Sequence, residues 1–234
     1  MNPQHYLSVD ERLLGVCAYC GGPPDTRDHV PCKFLLDDPL PDQLPVVAAC
    51  TRCNQGVSLD EEYFACFLEC VMVGSTDPVV LRREKVKRAL SRNGRLAERI
   101  RASAHADADG TLLWTPESDR VRNVVVKLAR GHVAYELSIT QIESPDDVHF
   151  FPLLSLSSED RAAFESAQSG QLRPWPEIGS RAFLRACGAE PFSDQRGPWV
   201  LVTSGQYRYA VDQHGGVRVQ IVAGEYLGCI VEWH

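Results

Sequence analysis

The sequence predicts an α+β chain in three parts, and three observations carry that prediction. Two Cys-x2-Cys pairs stand near the N-terminus, at Cys17/Cys20 and Cys50/Cys53. Two stretches with helical apolar spacing follow, the second rich in basic residues. The last third alternates polar and apolar residues with the period of strands. The parts fall at 1–75, a cysteine-bound module; 76–105, a basic helical connector; and 106–234, an α+β region with an antiparallel sheet and no legible task.

Taken in order, the chain from Leu13 to Asn54 reads as loops and short strands around the cysteines, with QLPVVAAC as the strand entering the second pair. Ser58 opens SLDE, a capping-box pattern, and Tyr63, Phe64, Phe67, Leu68 and Val71 then recur at helical spacing up to Gly74. Asp77-Pro78 supplies a cap and a first-turn proline for the basic helix, which Asn93-Gly94 kinks or ends near its middle. The polar RASAHADADGT, with its DG turn, is the candidate boundary. From Ser118 to Arg130, Val121, Val124, Val125 and Leu128 mark a short amphipathic helix that Gly131 stops. PWVLVTSG, QYRYAVDQ, VRVQIVAG and EYLGCIVEW read as strands, with an HGG turn between the second and third. Tyr207, Arg208, Tyr209 and Trp233 have the chemistry to stack bases, although alternating strand aromatics more often build core.

Composition narrows the class. Hydrophobic content of 44% beside 24% charged residues is that of a folded globular chain. No run approaches the ~18 apolar residues of a membrane span. The start lacks the basic-then-apolar pattern of a secretion signal, so a soluble cytoplasmic protein is expected. Nine cysteines is an odd count, which argues against a disulfide framework. Cys32, Cys66, Cys70, Cys187 and Cys229 are expected to be reduced, with Cys66 and Cys70 packing in a helix. The net charge of −7 opposes binding to phosphate backbones. Its distribution reverses that locally, because nine basic and two acidic residues give +7 between Leu81 and Arg101.

Two residues between thiolates let a tight knuckle aim both sulfurs at one tetrahedral ion, so Cys17, Cys20, Cys50 and Cys53 are expected to hold zinc. Four thiolates leave no open coordination position, which makes the ion structural. The 29 residues between the pairs exceed the usual ~15–20, leaving room for an inserted strand and loop.

That insertion contains TRDHVPCKFLL, and Asn54 follows the second pair directly. The words CAYCG, RDHVP and CTRCNQG, in that order over roughly residues 13–72, resemble the HNH endonuclease family. The resemblance implies an N-terminal ββα-metal finger, in which a hairpin and a helix grip a divalent ion, Mg²⁺ or Mn²⁺, at the scissile phosphate. It assigns His29 as general base, and Asp28 and Asn54 as catalytic metal ligands. The chemistry suits these types: neutral imidazole takes a proton near pH 7, and hard oxygens hold a hard ion. The chain departs from the family pattern twice. The central Asn has no clear match, with Gln43 or Pro45 in its place, and no basic residue follows CTRCN closely.

Lys85, Arg88, Arg92, Arg95 and Arg99 recur at 3-4-3-4 spacing, one face of a helix, and form a candidate nucleic-acid rail beside the site. The expected function is metal-dependent hydrolysis of phosphodiester bonds, in DNA rather than RNA. The alternatives are a zinc-ribbon module that binds nucleic acid or protein without cutting, and a regulated toxin-like nuclease. The C-terminal region is a candidate surface for a protein partner or self-association, and no membrane contact is expected.

Overall fold

A strand needs a partner and a helix needs a face to bury, and the N-terminal quarter supplies both at small scale. The structure is a computed structural model that describes residues 11–42, 44–167, 176–187, 195–196, 198–213 and 215–234. Gln43, and His214 of the expected HGG turn, lie outside the described residues. After a short 3-10 turn, β1 (Thr26–His29) pairs antiparallel with β2 (Val46–Ala49), setting Asp28 opposite Val47 and His29 opposite Val46. Two helices follow at once, α1 (Thr51–Gly56) and α2 (Ser58–Val73). Tyr63, Phe64, Phe67 and Leu68 are buried along α2, and Gly74 ends it in the left-handed region at φ 74°. Ser58 is the first helical residue rather than a cap, and its hydroxyl donates to the Gln55 carbonyl.

The basic segment forms two helices, α3 (Glu84–Arg92) and α4 (Gly94–Ala102), divided by Asn93, whose side chain caps α4 by accepting from the Leu96 amide. Asp77-Pro78 forms a turn and does not start α3. The Asp77 carboxylate accepts from the Val79 amide, and the helix begins seven residues later. A hairpin of β3 (Ala104–Ala106) and β4 (Leu112–Trp114) stands at RASAHADADGT.

The next element, α5 (Ser118–Leu137), is the axis of the molecule. It packs on α2 and β2 on one side and on the C-terminal sheet on the other. Gly131 lies inside it and does not end it. A Cβ there would stand 2.6 Å from a Val30 methyl, so the glycine lets the helix approach the segment after β1.

Beyond α5 come β5 (Asp147–Pro152), α6 (Ser158–Ser166), α7 (Arg181–Ala186), β6 (Gln195–Arg196), β7 (Trp199–Thr203), β8 (Tyr207–Gln213), β9 (Val217–Ala223) and β10 (Leu227–Trp233). Six of them form one antiparallel sheet in the order β5-β10-β9-β8-β7-β6. The four expected strands are β7 to β10. Tyr207, Tyr209 and Trp233 face inward and are at most 5% exposed, so they build core and present no ring to a base. Arg208 bridges Glu165 and Glu225.

The main apolar cluster runs from Cys17 through Phe64, Val125 and Val133 to Trp233. It crosses both expected boundaries, near 75 and 106. Polar groups inside it are partly matched: the His132 ring stacks on Tyr209 at 3.6 Å with Nε2 2.8 Å from the Tyr207 hydroxyl, while its Nδ1 is buried without a hydrogen bond among the described residues. Glu136 accepts from the Tyr209 hydroxyl and pairs with Arg185. Among the described residues no helix is long and apolar enough to cross a membrane.

Candidate metal centre and active site

The first knuckle closes on itself. The Cys17 amide donates to Gly22, the Gly21 amide to the Cys17 carbonyl, and Gly21 takes φ 73° to make the turn. The second pair sits where α1 starts: Cys50 is the N-cap, and Cys53, three residues on, points the same way. Asp25 fastens this helix start by accepting from both the amide and hydroxyl of Thr51. The sulfurs of Cys17, Cys20, Cys50 and Cys53 all lie within 4.8 Å of one another, close enough to hold one metal ion such as zinc. Metal–sulfur bonds of about 2.3 Å in a tetrahedron put the sulfurs about 3.8 Å apart, and Cys20 and Cys50 stand at 3.8 Å. The Cys53 amide, followed by the neighbouring thiols, draws the Cys50 thiol down to about 7, while burial and those same neighbours push the Cys53 thiol up, so Cys50 is the readier of this pair to supply a thiolate. Burial pushes Cys32, Cys66 and Cys70 up to about 12, so these stay thiols.

The hairpin and α1 lie beside this centre. Strand alternation sends Asp28 and His29 to opposite faces. His29 is half-buried, and among the described residues nothing hydrogen-bonds its ring. Burial, then the charge of Lys33, lowers its pKa against the opposing pull of Asp28, so the ring is neutral at pH 7. Asn54 reaches back from α1, its amide donating to the Thr26 hydroxyl and the Arg27 carbonyl at 3.1 Å each. Those bonds clamp the helix to β1 and leave the side-chain oxygen unengaged among the described residues.

Asp28 faces inward, 6% exposed. Its Oδ2 accepts from the Tyr19 hydroxyl and pairs with the Lys127 ammonium, both at 2.8 Å. Lys127 comes from α5 and is buried too; its Nζ also meets Glu61 at 2.7 Å and the Asn54 carbonyl at 3.1 Å. Three oxygens around one ammonium are what a cation site looks like once filled. Asp28 as packed therefore does not fit a divalent ion, because one carboxylate oxygen is taken and the lysine stands where the metal charge would. The Asn54 side-chain oxygen stays unengaged among the described residues, but Asn54 meets Lys127 only through its backbone carbonyl.

Sequence reasoning missed Tyr19, Glu61 and Lys127. The signal was present, since Lys127 stands three residues from Val124 and Glu61 three from Phe64, each a charge inside a buried stripe.

The basic rail is dispersed. Asn93 breaks the helix, Lys85 is tied to the Lys33 and Leu36 carbonyls and to Asp38, and Arg99 is held bidentately by Glu117. Arg88, Arg92 and Arg95 remain exposed, with no hydrogen bond or salt bridge among the described residues. Comparison of the chain with family models, curated proteins and solved structures finds no match.

Proposed function

We propose that this protein hydrolyses phosphodiester bonds in nucleic acid, DNA in preference to RNA, on a hairpin-and-helix unit stapled by zinc at Cys17, Cys20, Cys50 and Cys53. The observation that carries the reading is His29: an unpartnered imidazole, kept neutral at pH 7, at the end of a strand whose pairing with β2 is locked beside the four sulfurs. Such a ring takes a proton from water as that water attacks phosphorus; the bond to the 3′ oxygen breaks, and the departing oxygen acquires a proton from solvent. Asn54 positions the strand that bears the base.

One observation favours a second reading, a module that binds nucleic acid without cutting it. Asp28, the carboxylate that the HNH resemblance makes a metal ligand, is already paired with Lys127.

Plasmid DNA, single-stranded DNA and RNA incubated with the purified chain, with Mg²⁺, Mn²⁺ or chelator, separate the two. Cleavage should appear, and His29→Ala should slow it by roughly 10²–10⁴-fold, the usual worth of a positioned base, with zinc content unchanged. The acid limb of the rate profile should lie below pH ~6.5, the ordinary histidine value, because burial and Lys33 depress this ring and protonation removes the base. A parent that cuts nothing under any of these conditions, yet retards labelled nucleic acid in the same buffers, overturns the nuclease reading in favour of the binding module.

A further inference from the structure

Between α1 and α5, beside Cys53, lies a cleft of about 440 Å³ that shares Tyr19 and Lys127 with the Asp28 cluster but is lined by neither His29 nor Asn54. Its charged lining is entirely cationic: Arg52 from α1, and Arg122, Lys127 and Arg130 from α5. Positions 122, 126 and 130 fall four apart, so Arg122 and Arg130 share one face of the helix with Val126 as floor between them. Lys127 has its charge met by Asp28 and Glu61, but the three arginines do not meet a carboxylate. Arg52 and Arg122 make no hydrogen bond or salt bridge among the described residues. Arg130 is anchored by donating to the Ile142 and Glu143 carbonyls, which fixes its guanidinium without neutralising it, and its Nε is buried without a partner.

Two things set what this cleft accepts. A planar guanidinium matches the oxygens of phosphate in a fork, and three of them around a concave surface select a polyanion. The spread decides between a compact phosphate and a strand. Eight residues of helix separate Arg122 from Arg130, about 12 Å at 1.5 Å per residue, more than the distance between adjacent phosphates of an extended strand and too wide for one phosphate group. A zinc–tetrathiolate centre would carry two negative charges next to Cys53, which three arginines exceed, and Arg122 stands two turns away from Arg130 along α5.

We propose that this cleft holds the phosphate backbone of a nucleic-acid strand, with Arg52, Arg122 and Arg130 as its contacts. This deepens the reading above by naming a holding surface, and it concerns binding alone, so it stands or falls apart from His29.

The test is fluorescence anisotropy of a labelled single-stranded oligodeoxynucleotide with the full zinc-loaded chain, over a salt series and without added divalent ions. Arg52→Glu/Arg122→Glu should weaken binding by at least about tenfold. It should also flatten the slope of log affinity against log salt by roughly 1.4, at ~0.7 per phosphate contact on a single strand. Zinc content and melting temperature serve as controls, because both side chains are exposed and unpaired. Arg122→Lys should retain most of the affinity. Affinity within twofold of the parent, in a double variant with zinc and melting temperature intact, would overturn the proposal. So would a mononucleotide that competes as well as the oligonucleotide, which would make the cleft a small-phosphate pocket.

Discussion

Largely desolvating Lys127 with Asp28 and Glu61 places one cation against two carboxylates, each residue less than a tenth exposed. Burial raises the Glu61 pKa even though Lys127 pulls the other way, so the lysine is what keeps this carboxylate close to charged. For Lys127, burial opposes the charge, but Asp28 and Glu61 together outweigh it and the pKa ends up raised. Lys127→Met leaves both carboxylates buried and uncompensated, a change that typically costs about 3–5 kcal/mol. The sign of its pH dependence follows. A carboxylate whose folded pKa is raised binds protons more tightly when folded, so the folded state gains as pH falls toward that pKa. In Lys127→Met the Glu61 pKa rises further, so the stability deficit relative to the parent should shrink between pH 7 and pH 5. Urea unfolding of both proteins over that range measures it; a deficit independent of pH would mean that packing, not charge, holds the lysine in place. Cys17, Cys20, Cys50 and Cys53 were readable as one cluster from spacing, because two Cys-x2-Cys pairs in one short segment suit a single tetrahedral ion better than two separate redox pairs. Asp28 was readable as a special residue but not as an engaged one, since its partner stands 99 positions further along the chain.

At the scale of elements, period decides what a sequence discloses. The strands β7 to β10 are short runs of β-branched and aromatic residues bounded by turn signals, and α2 carries its aromatics at helical spacing; both were visible beforehand, although β9 is buried on both faces and alternates little. The edge strand β5 alternates over Asp147–Phe150, but only half-buries its apolar side chains and holds the pattern for four residues, too short a run to stand out from a loop. Asp77-Pro78 misled because the same pair that caps a helix also makes a turn. Gly131 misled because glycine marks helix ends and close approaches alike, and here the approach won: α5 continues to Leu137 and presses on Val30. Gly131→Ala should therefore destabilise the protein despite the better helix propensity of alanine, by about 1–3 kcal/mol for an overpacked contact. Combining it with Val30→Ala removes the methyl groups 2.6 and 2.9 Å from the new Cβ and should recover part of the loss. A double variant no better than the sum of the singles would place the strain elsewhere in α5.

For the molecule as a whole, the question is whether the cysteine centre supports only its own knuckles. The same apolar cluster includes Cys17, with Cys50 and Cys53 packed against it, and extends to Val219, Val231 and Trp233 in the sheet. The element joining them is α5, which touches β2 on one side and β8, β9 and β10 on the other. Among the described residues one apolar cluster serves both hairpin and helix, so unfolding the N-terminal third strips packing from α5. A structural zinc contributes its binding free energy to folding, so here that contribution should be felt by the entire chain. Purified protein should contain about one zinc, and chelation, or Cys50→Ser, should lower one shared transition rather than detach a small domain. Near-ultraviolet circular dichroism sums the aromatic side chains, among them Trp199 and Trp233, both 5% exposed in the sheet, and variants lacking either of these isolate the sheet's share; far-ultraviolet ellipticity follows the helices. The two melting curves should coincide with and without metal, and shift down together when metal is removed, as a two-state unit requires. Tryptophan signals that keep their midpoint while helix is lost would show that the sheet folds independently of the cysteine centre, and α5 would then be a tether between two units, not their common core.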